Sequence, residues 1–230
     1  QGNIWIPSML YNAGPQFFMN YMEWAQFYPA LMGGFSVVMA YFLGKEVWDK
    51  YAGVSASFFL AVIAGAMHRT SAGFFEKEPI GTFLMMVTMY FFVRAWRREE
   101  RISGIVSGLA LGLFTISWGG SKMIWLLYPM TVGLLALIDV DIKKMIIAYT
   151  PTILIGGLVA ATLNPSRFWL TDDLFIANIG LLSLLWIRYA AEEFELVDTK
   201  QLPYIVPSLS IVGGIALVLS PLYSDFLAQK

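Results

Sequence analysis

The chain has 230 residues, 58% of them apolar and 13% charged, with a formal net charge of −1. Soluble domains are typically about 45–50% apolar and about 25% charged, so this composition, with a mean hydropathy of +0.65, excludes an ordinary soluble domain and fits a membrane protein. The near-neutral charge offers no global pull toward nucleic acid, and the lack of cysteine excludes disulfides and thiolate metal sites.

In chain order, residues 1–27 carry Trp5, Tyr11, Tyr21 and Trp24. These aromatic types suit the headgroup zone, and 16–27 is expected to lie in the interface as a helix. The chain begins at Gln1 without a basic stretch ahead of a short apolar core, so no signal peptide is visible. It reads as a piece of a longer polypeptide.

Eight apolar segments follow, at roughly 28–44, 53–67, 79–93, 104–117, 123–138, 145–163, 174–187 and 204–222. Several fall short of the ~20 residues that cross a bilayer as a helix. No alternating barrel pattern appears, and helices satisfy backbone polarity in lipid. The expected fold class is therefore all-α, a polytopic transmembrane bundle of about eight spans over 28–222, with 223–230 starting a further outer loop. The "AAEEFELVDTKQLP" stretch reads as a solvated turn.

Loop charge sets the expected orientation. One alternate set of loops holds Lys45, Lys50, Arg94, Arg97, Arg98, Arg101, Lys143, Lys144, Arg188 and Lys200; the other holds Arg69, Lys77, Lys122, Arg167 and Lys230. The positive-inside rule makes the first set cytoplasmic. Residues 68–78 and both chain ends are then expected on the outer face. "RAWRREER" reads first as an orientation signal and second as a contact for anionic lipid.

That outer loop, "MHRTSAGFFEKEP", gathers His68, Arg69, Glu76, Lys77 and Glu78 between two apolar runs. Proline at 79 suits a first helical turn, so both carboxylates sit at a helix N-terminus, where the dipole favours negative charge. Two readings stand: capping acids at a membrane surface, or oxygen donors for Mg²⁺ or Mn²⁺. Two carboxylates leave most of six coordination positions to water, substrate or other loops.

"RTSAGFFEKE" resembles the Arg-Ser/Thr-x-Ala-Gly-x-x-Asp-x-Glu/Asp signature of the second outer loop in oligosaccharyltransferase catalytic subunits. "SWGGSKMIWLLYPM", about 40 residues further on, is similar to that family's Ser/Ala-Trp-Gly-Gly stretch. "GKEVWDKYAG" is similar to its first short cytoplasmic loop. The resemblance implies a GT-C-type membrane domain of an enzyme, archaeal-type by preference. Such enzymes move oligosaccharide from a polyprenyl or dolichyl (pyro)phosphate carrier to asparagine in Asn-x-Ser/Thr. It also implies lipid-linked oligosaccharide, acceptor polypeptide and membrane lipid as partners, and Mn²⁺ or Mg²⁺ as cofactor. The setting it implies is the cell membrane, with the lumenal face of the endoplasmic reticulum as the alternative.

Carried over, Glu76 stands at a metal-ligating acid, Glu78 at the second acid, and Arg69 opens the motif, orienting the acids by fork-type hydrogen bonds. Glu76 departs from the family's usual Asp, and Lys77 adds a cation between the acids. The family's first outer-loop aspartate, its fifth outer loop and its soluble sequon-reading domain are not in the sequence, so the N- and C-terminal parts of the same polypeptide are expected partners and this chain alone is expected to be inactive.

Lys122, at the outer end of a span, reads as a lysine snorkelling to the interface or as a contact for the carrier phosphate. His68 reads as a helix-end residue, Asp172 and Asp173 as helix-capping acids, Trp118 as an anchor or packing residue, and Gly119–Gly120 as a break or close approach. Other lipid-phosphate-dependent glycosyltransferases, transporters and scaffolds are the competing classes; charge clustered at span ends speaks against transport.

Overall fold

A computed structural model describes residues 2–137, 141–163 and 172–194, which form nine α-helices and one 3-10 turn. These are α1 (Gly2–Asn12), α2 (Tyr21–Val47), α3 (Lys50–Val62), α4 (Ala64–Arg69), α5 (Glu78–Arg98), α6 (Arg101–Ser117), α7 (Ser121–Leu137), α8 (Ile142–Leu163) and α9 (Asp173–Glu193), with the turn at Pro15–Phe17. Seven of the eight apolar segments fall on helices. The eighth, 204–222, lies outside the described residues, as do Arg167, Lys200 and 223–230. Among the described residues, α2, α5, α8 and α9 are long and apolar enough to cross a membrane, while α3, α6 and α7 are shorter apolar helices. Four long helices, and not eight spans, is what these residues establish.

Local sequence explains the boundaries. α2 opens on a capping box: Glu23 N–H donates to Asn20 Oδ1 (2.9 Å) and Asn20 N–H to Glu23 Oε2 (2.8 Å). Asp49 accepts from Tyr51 and Ala52 N–H to start α3, and Asp172 from Leu174 N–H to start α9, the expected cap. The capping box corrects the N-terminal expectation. Residues 16–27 are not one interfacial helix, because Asn20 begins the long helix there. Trp24 is not a headgroup anchor either: it is 4% exposed and donates its indole N–H to Pro7 O at 3.0 Å. The segment at 53–67 is likewise broken. Ile63, extended at φ −66° and ψ 123°, separates α3 from α4, at the β-branched pair Val62–Ile63 followed by Gly65, a cluster of weak helix formers.

α2 packs on α3 and α5, α5 on α6 and α8, and α9 on α7 and α8. The helices α6 and α8 approach closely. A Cβ at Gly104 would stand 2.5 Å from Pro151 Cγ, at Gly108 2.7 Å from Pro151 O, and at Gly112 2.5 Å from Val159 Cβ. Three glycines four residues apart thus let two backbones meet, as small-residue stripes do in membrane bundles. Thr152 Oγ1, which donates to Ala148 O at 2.8 Å, also reaches Gly104 O at 3.3 Å. Asn178, fully buried, joins three helices: it donates to Trp125 O and Leu174 O and accepts from the Tyr149 hydroxyl at 2.7 Å.

One end of the bundle is ion-paired. Arg98 makes a two-pronged contact with Glu46 at 2.8 and 2.9 Å, and Arg97 donates to Glu46 O. Arg94 pairs with Glu100, and Lys144 with Glu99 at 3.3 Å. The Arg94 guanidinium, and then the Ser103 hydroxyl, hold the Glu100 carboxyl below the usual carboxylate range. Arg188, 4% exposed, donates to Ala136 O and to Glu192. Arg94, Arg97 and Arg98 therefore spend their hydrogen bonds on the protein, which reduces the expected role of this cluster as a lipid contact. The "AAEEFELV" stretch begins inside α9, which runs to Glu193.

The glycine contact makes a contrasting pair of expectations. Gly108→Leu forces α6 off α8 and costs on the order of 3 kcal/mol, visible as a lower thermal midpoint in detergent. Gly34→Ala, with nothing within 4 Å of the new Cβ, holds or raises the midpoint, adding up to about 1 kcal/mol of stability through helix propensity.

Candidate active site

The acidic loop is built between α4 and α5. At the end of α4, Thr70 Oγ1 donates to Ala66 O (2.8 Å) and Ser71 Oγ to Met67 O (2.7 Å), side-chain bonds that compete with further helix. Gly73 turns the chain at φ +89°, a conformation side chains resist, and its N–H reaches Gln26 O of α2 at 2.8 Å. Phe74 lies against His68 (5.5 Å between centroids) and under the Arg69 guanidinium (5.4 Å). Phe75 meets the ring of fully buried Tyr28 edge-on at 5.8 Å. Thr70 fills the space beside Gly33, where a Cβ would stand 2.6 Å from Thr70 Cβ. The loop is thus pinned to α2 by one backbone hydrogen bond, one aromatic contact and one close approach.

The two acids leave this frame differently. Glu76 is exposed. Lys77 precedes α5, Glu78 is its first residue and Pro79 its second, so the expected helix N-terminus is present. Arg69 Nη1 lies 3.4 Å from Glu78 Oε1, with side chains 52% and 19% exposed. Glu78 Oε2 is buried with no hydrogen-bond partner among the described residues. The fork-type orientation of both acids by Arg69 is corrected here. A single long contact to Glu78 replaces it, an exposed pair worth about 0–1 kcal/mol, and Glu76 takes no part.

Lys122, the second residue of α7, is exposed; its side chain makes no ion pair or hydrogen bond with the described residues. His68 packs on Phe74, in keeping with its reading as a helix-end residue. Among the described residues no group of three or more His, Asp or Glu converges. Glu76 and Glu78 are thus two donors of a larger set at most. The unpartnered Glu78 Oε2 is the feature that fits a cation.

Trp118 joins the second motif to the first. It ends α6 in extended conformation, and its indole packs against both Gly81 and Gly120: a Cβ at Gly81 would stand 2.5 Å from Trp118 Cε3, and one at Gly120 2.9 Å from Cδ2. Gly81 lies in the first turn of α5, three residues after Glu78. Sequence reading passed over Gln26, Tyr28 and Gly81. Gln26 acts through its carbonyl and leaves no signal, whereas a glycine in the first turn of an apolar helix is a mark of close approach.

The described geometry agrees with the comparisons. The model of the family "Oligosaccharyl transferase STT3, N-terminal" matches residues 4–223. The chain belongs to this family. It is 31% identical over 197 residues to the Saccharomyces cerevisiae dolichyl-diphosphooligosaccharide–protein glycosyltransferase subunit STT3, covering 81% of this chain and 27% of that protein. The chain spans about a quarter of the length of the curated relatives it matches. Three structures of the Archaeoglobus fulgidus oligosaccharyltransferase share the fold. AglB with an inhibitory peptide and a dolichol-phosphate superposes with a TM-score of 0.80 at 17% identity, covering 99% of this chain and 30% of that one. The complex with Zn and sulfate gives 0.76 at 19% identity, covering 95% and 31%. The form tethered to a peptide containing the NVT sequon gives 0.73 at 18%, covering 97% and 30%.

The loop frame yields a local expectation. Gly73→Ala must adopt a positive φ at a cost of roughly 1–2 kcal/mol. Limited proteolysis then cuts faster within 70–77, while the global thermal midpoint moves little.

Proposed function

We propose that the chain contributes the membrane-embedded part of an oligosaccharyltransferase catalytic subunit. The parent moves oligosaccharide from a polyprenyl or dolichyl phosphate carrier to asparagine in Asn-x-Ser/Thr sequons. The observation that carries this reading is the meeting of two family motifs at one end of the bundle. The acid pair heads α5, and the Trp-Gly-Gly stretch packs against the first turn of the same helix. The related Archaeoglobus fulgidus structures hold a dolichol-phosphate and a sequon peptide, which supports the substrate classes.

In this reading Glu76 and Glu78 hold a divalent cation, Mn²⁺ or Mg²⁺, which when bound neutralises the phosphate leaving group. The Zn-bound relative supports a divalent ion without choosing which. Glu78 offers the unpartnered Oε2, while Arg69 keeps Oε1 engaged and limits the swing of the carboxylate. Glu76, exposed on the loop, would supply the second carboxylate. Its glutamate reaches one methylene further than the family's aspartate, which suits a less rigid coordination shell than Mg²⁺ demands. Lys122, exposed at the first turn of α7, adds positive charge for the carrier phosphate. The remaining ligands and the sequon-reading surface come from parts of the polypeptide outside this chain. Residues 68–78 face the outside of the cell membrane, or the lumen in an endoplasmic reticulum protein.

Membranes carrying the full-length polypeptide, given lipid-linked oligosaccharide, an Asn-x-Thr peptide and Mn²⁺, form glycopeptide. Glu76→Gln and Glu78→Gln each lower the rate at least tenfold, about 1.4 kcal/mol in barrier. An undiminished rate in both variants removes the carboxylates from the mechanism.

The chain's lack of cysteine makes the orientation directly measurable. In sealed right-side-out vesicles, a membrane-impermeant maleimide labels Lys77→Cys at once and Arg101→Cys only after permeabilisation. The reverse pattern inverts the proposed topology.

A further inference from the structure

Trp118 makes no hydrogen bond to either acid, yet its side chain packs where the end of α6 meets the start of α5. Its backbone is held from both sides: its N–H donates to Phe114 O at 2.9 Å, and Ser121 N–H donates to its carbonyl at 3.1 Å. Its ring also lies against Phe114, which is fully buried, at 6.0 Å between centroids. The indole is therefore part of the rigid α6–α7 corner, and α6 is itself seated on α8 by its glycines.

Against this fixed ring rests Gly81. No larger residue fits: the added Cβ would fall 2.5, 2.9 and 3.1 Å from Trp118 Cε3, Cδ2 and Cβ. Gly81 N–H closes the first turn of α5 on Lys77 O at 3.0 Å. Positions 78 and 81, three apart, share a helix face, so a shift at 81 is a shift of Glu78. The next residues, Pro79 and Ile80, are buried and transmit the shift without slack. The indole N–H has no hydrogen-bond partner among the described residues, so the ring acts here through its shape.

We propose that Trp118 is a positioning residue for the acidic pair: its indole, seated on Gly81, sets the height at which α5 presents Glu78 and the loop carrying Glu76. The consequence for metal binding rests on the function proposed above; the mechanical contact does not.

The test uses the full-length polypeptide and two readouts. Hydrogen–deuterium exchange compares peptides spanning 73–81 with peptides from 142–163 in α8. Trp118→Leu is expected to speed exchange in 73–81 at least tenfold while leaving α8 unchanged. Gly81→Ala, which pushes on the ring from the other side, does the same by a smaller factor. In the double variant Gly81→Ala/Trp118→Leu the shortened side chain makes room for the new methyl, and exchange in 73–81 is slower than the product of the two single effects. The second readout is the Mn²⁺ activation constant for glycopeptide formation. In Trp118→Leu it rises at least fivefold, with kcat at saturating Mn²⁺ changed less than twofold.

Unchanged exchange in 73–81 overturns the proposal. So does a rise spread evenly over all helices, the mark of ordinary core packing. A local rise with an unmoved Mn²⁺ constant, in a protein whose Glu76→Gln variant is inactive, also overturns it, since the loop then loosens without consequence for the acids. Should Trp118→Leu fail to fold, Gly81→Ala alone decides by the same two readouts. If Glu76→Gln and Glu78→Gln are both fully active, the metal-holding role proposed above for the two acids fails, and the exchange data still decide whether Trp118 holds the loop.

Discussion

Along one side of α6, Gly104, Gly108 and Gly112 let that helix lie backbone to backbone against α8, and the positions of the other elements follow from this contact. Lipid tails supply no hydrophobic force between helices, so close packing and buried hydrogen bonds must hold them together. With α6 seated on α8, the Ser107 hydroxyl reaches Thr88 O of α5 at 2.9 Å, and α5 is carried alongside. Phe92 of α5 stacks on Tyr128 of α7 at 4.3 Å between centroids. Asn178 then ties α7 and α8 to α9.

The two ends of this bundle are finished by different physics. At one end, guanidinium and carboxylate groups from the termini of α2, α5 and α6 pair with each other, and Arg188 satisfies a carbonyl of α7. Those groups are consumed by the structure. At the other end, the chain is held by aromatic contacts, a glycine turn and a backbone hydrogen bond to α2, so the carboxylates of Glu76 and Glu78 are left largely uncommitted. One buried oxygen without a partner, at the head of α5 beside a loop pinned from α2, is an arrangement that favours binding over stability.

The family relationship and the local geometry answer separate questions. Membership rests on a match along nearly the whole chain. What the loop can do rests on where its side chains lie. The chain spans about a quarter of the length of its relatives, and in the proposed function its two carboxylates and few flanking cations form one wall of the site.

Much was legible in sequence because it is local. Apolar run length located seven helical segments, α2 to α9, with the break between α3 and α4 unmarked. Proline at 79 placed Glu78 at a helix start, Asp172 announced a cap, and the order of the Arg-Thr-Ser-Ala-Gly and Trp-Gly-Gly stretches named the family. The glycines at 104, 108 and 112 could also have been read, since their four-residue spacing marks one helix face. Other features depended on which faces meet. Nothing local told that Arg69 would reach Glu78 and leave Glu76 alone, that Trp24 would turn inward to Pro7, or that the arginines after Tyr90 would pair with Glu46 and Glu100. Trp118 and Gly81 lie 37 positions apart in sequence, and spacing cannot say that they touch. Helix type and ends are determined by neighbours within a turn or two. The meeting of an indole with a glycine across two helices is decided only when the α6 backbone comes to rest on α8.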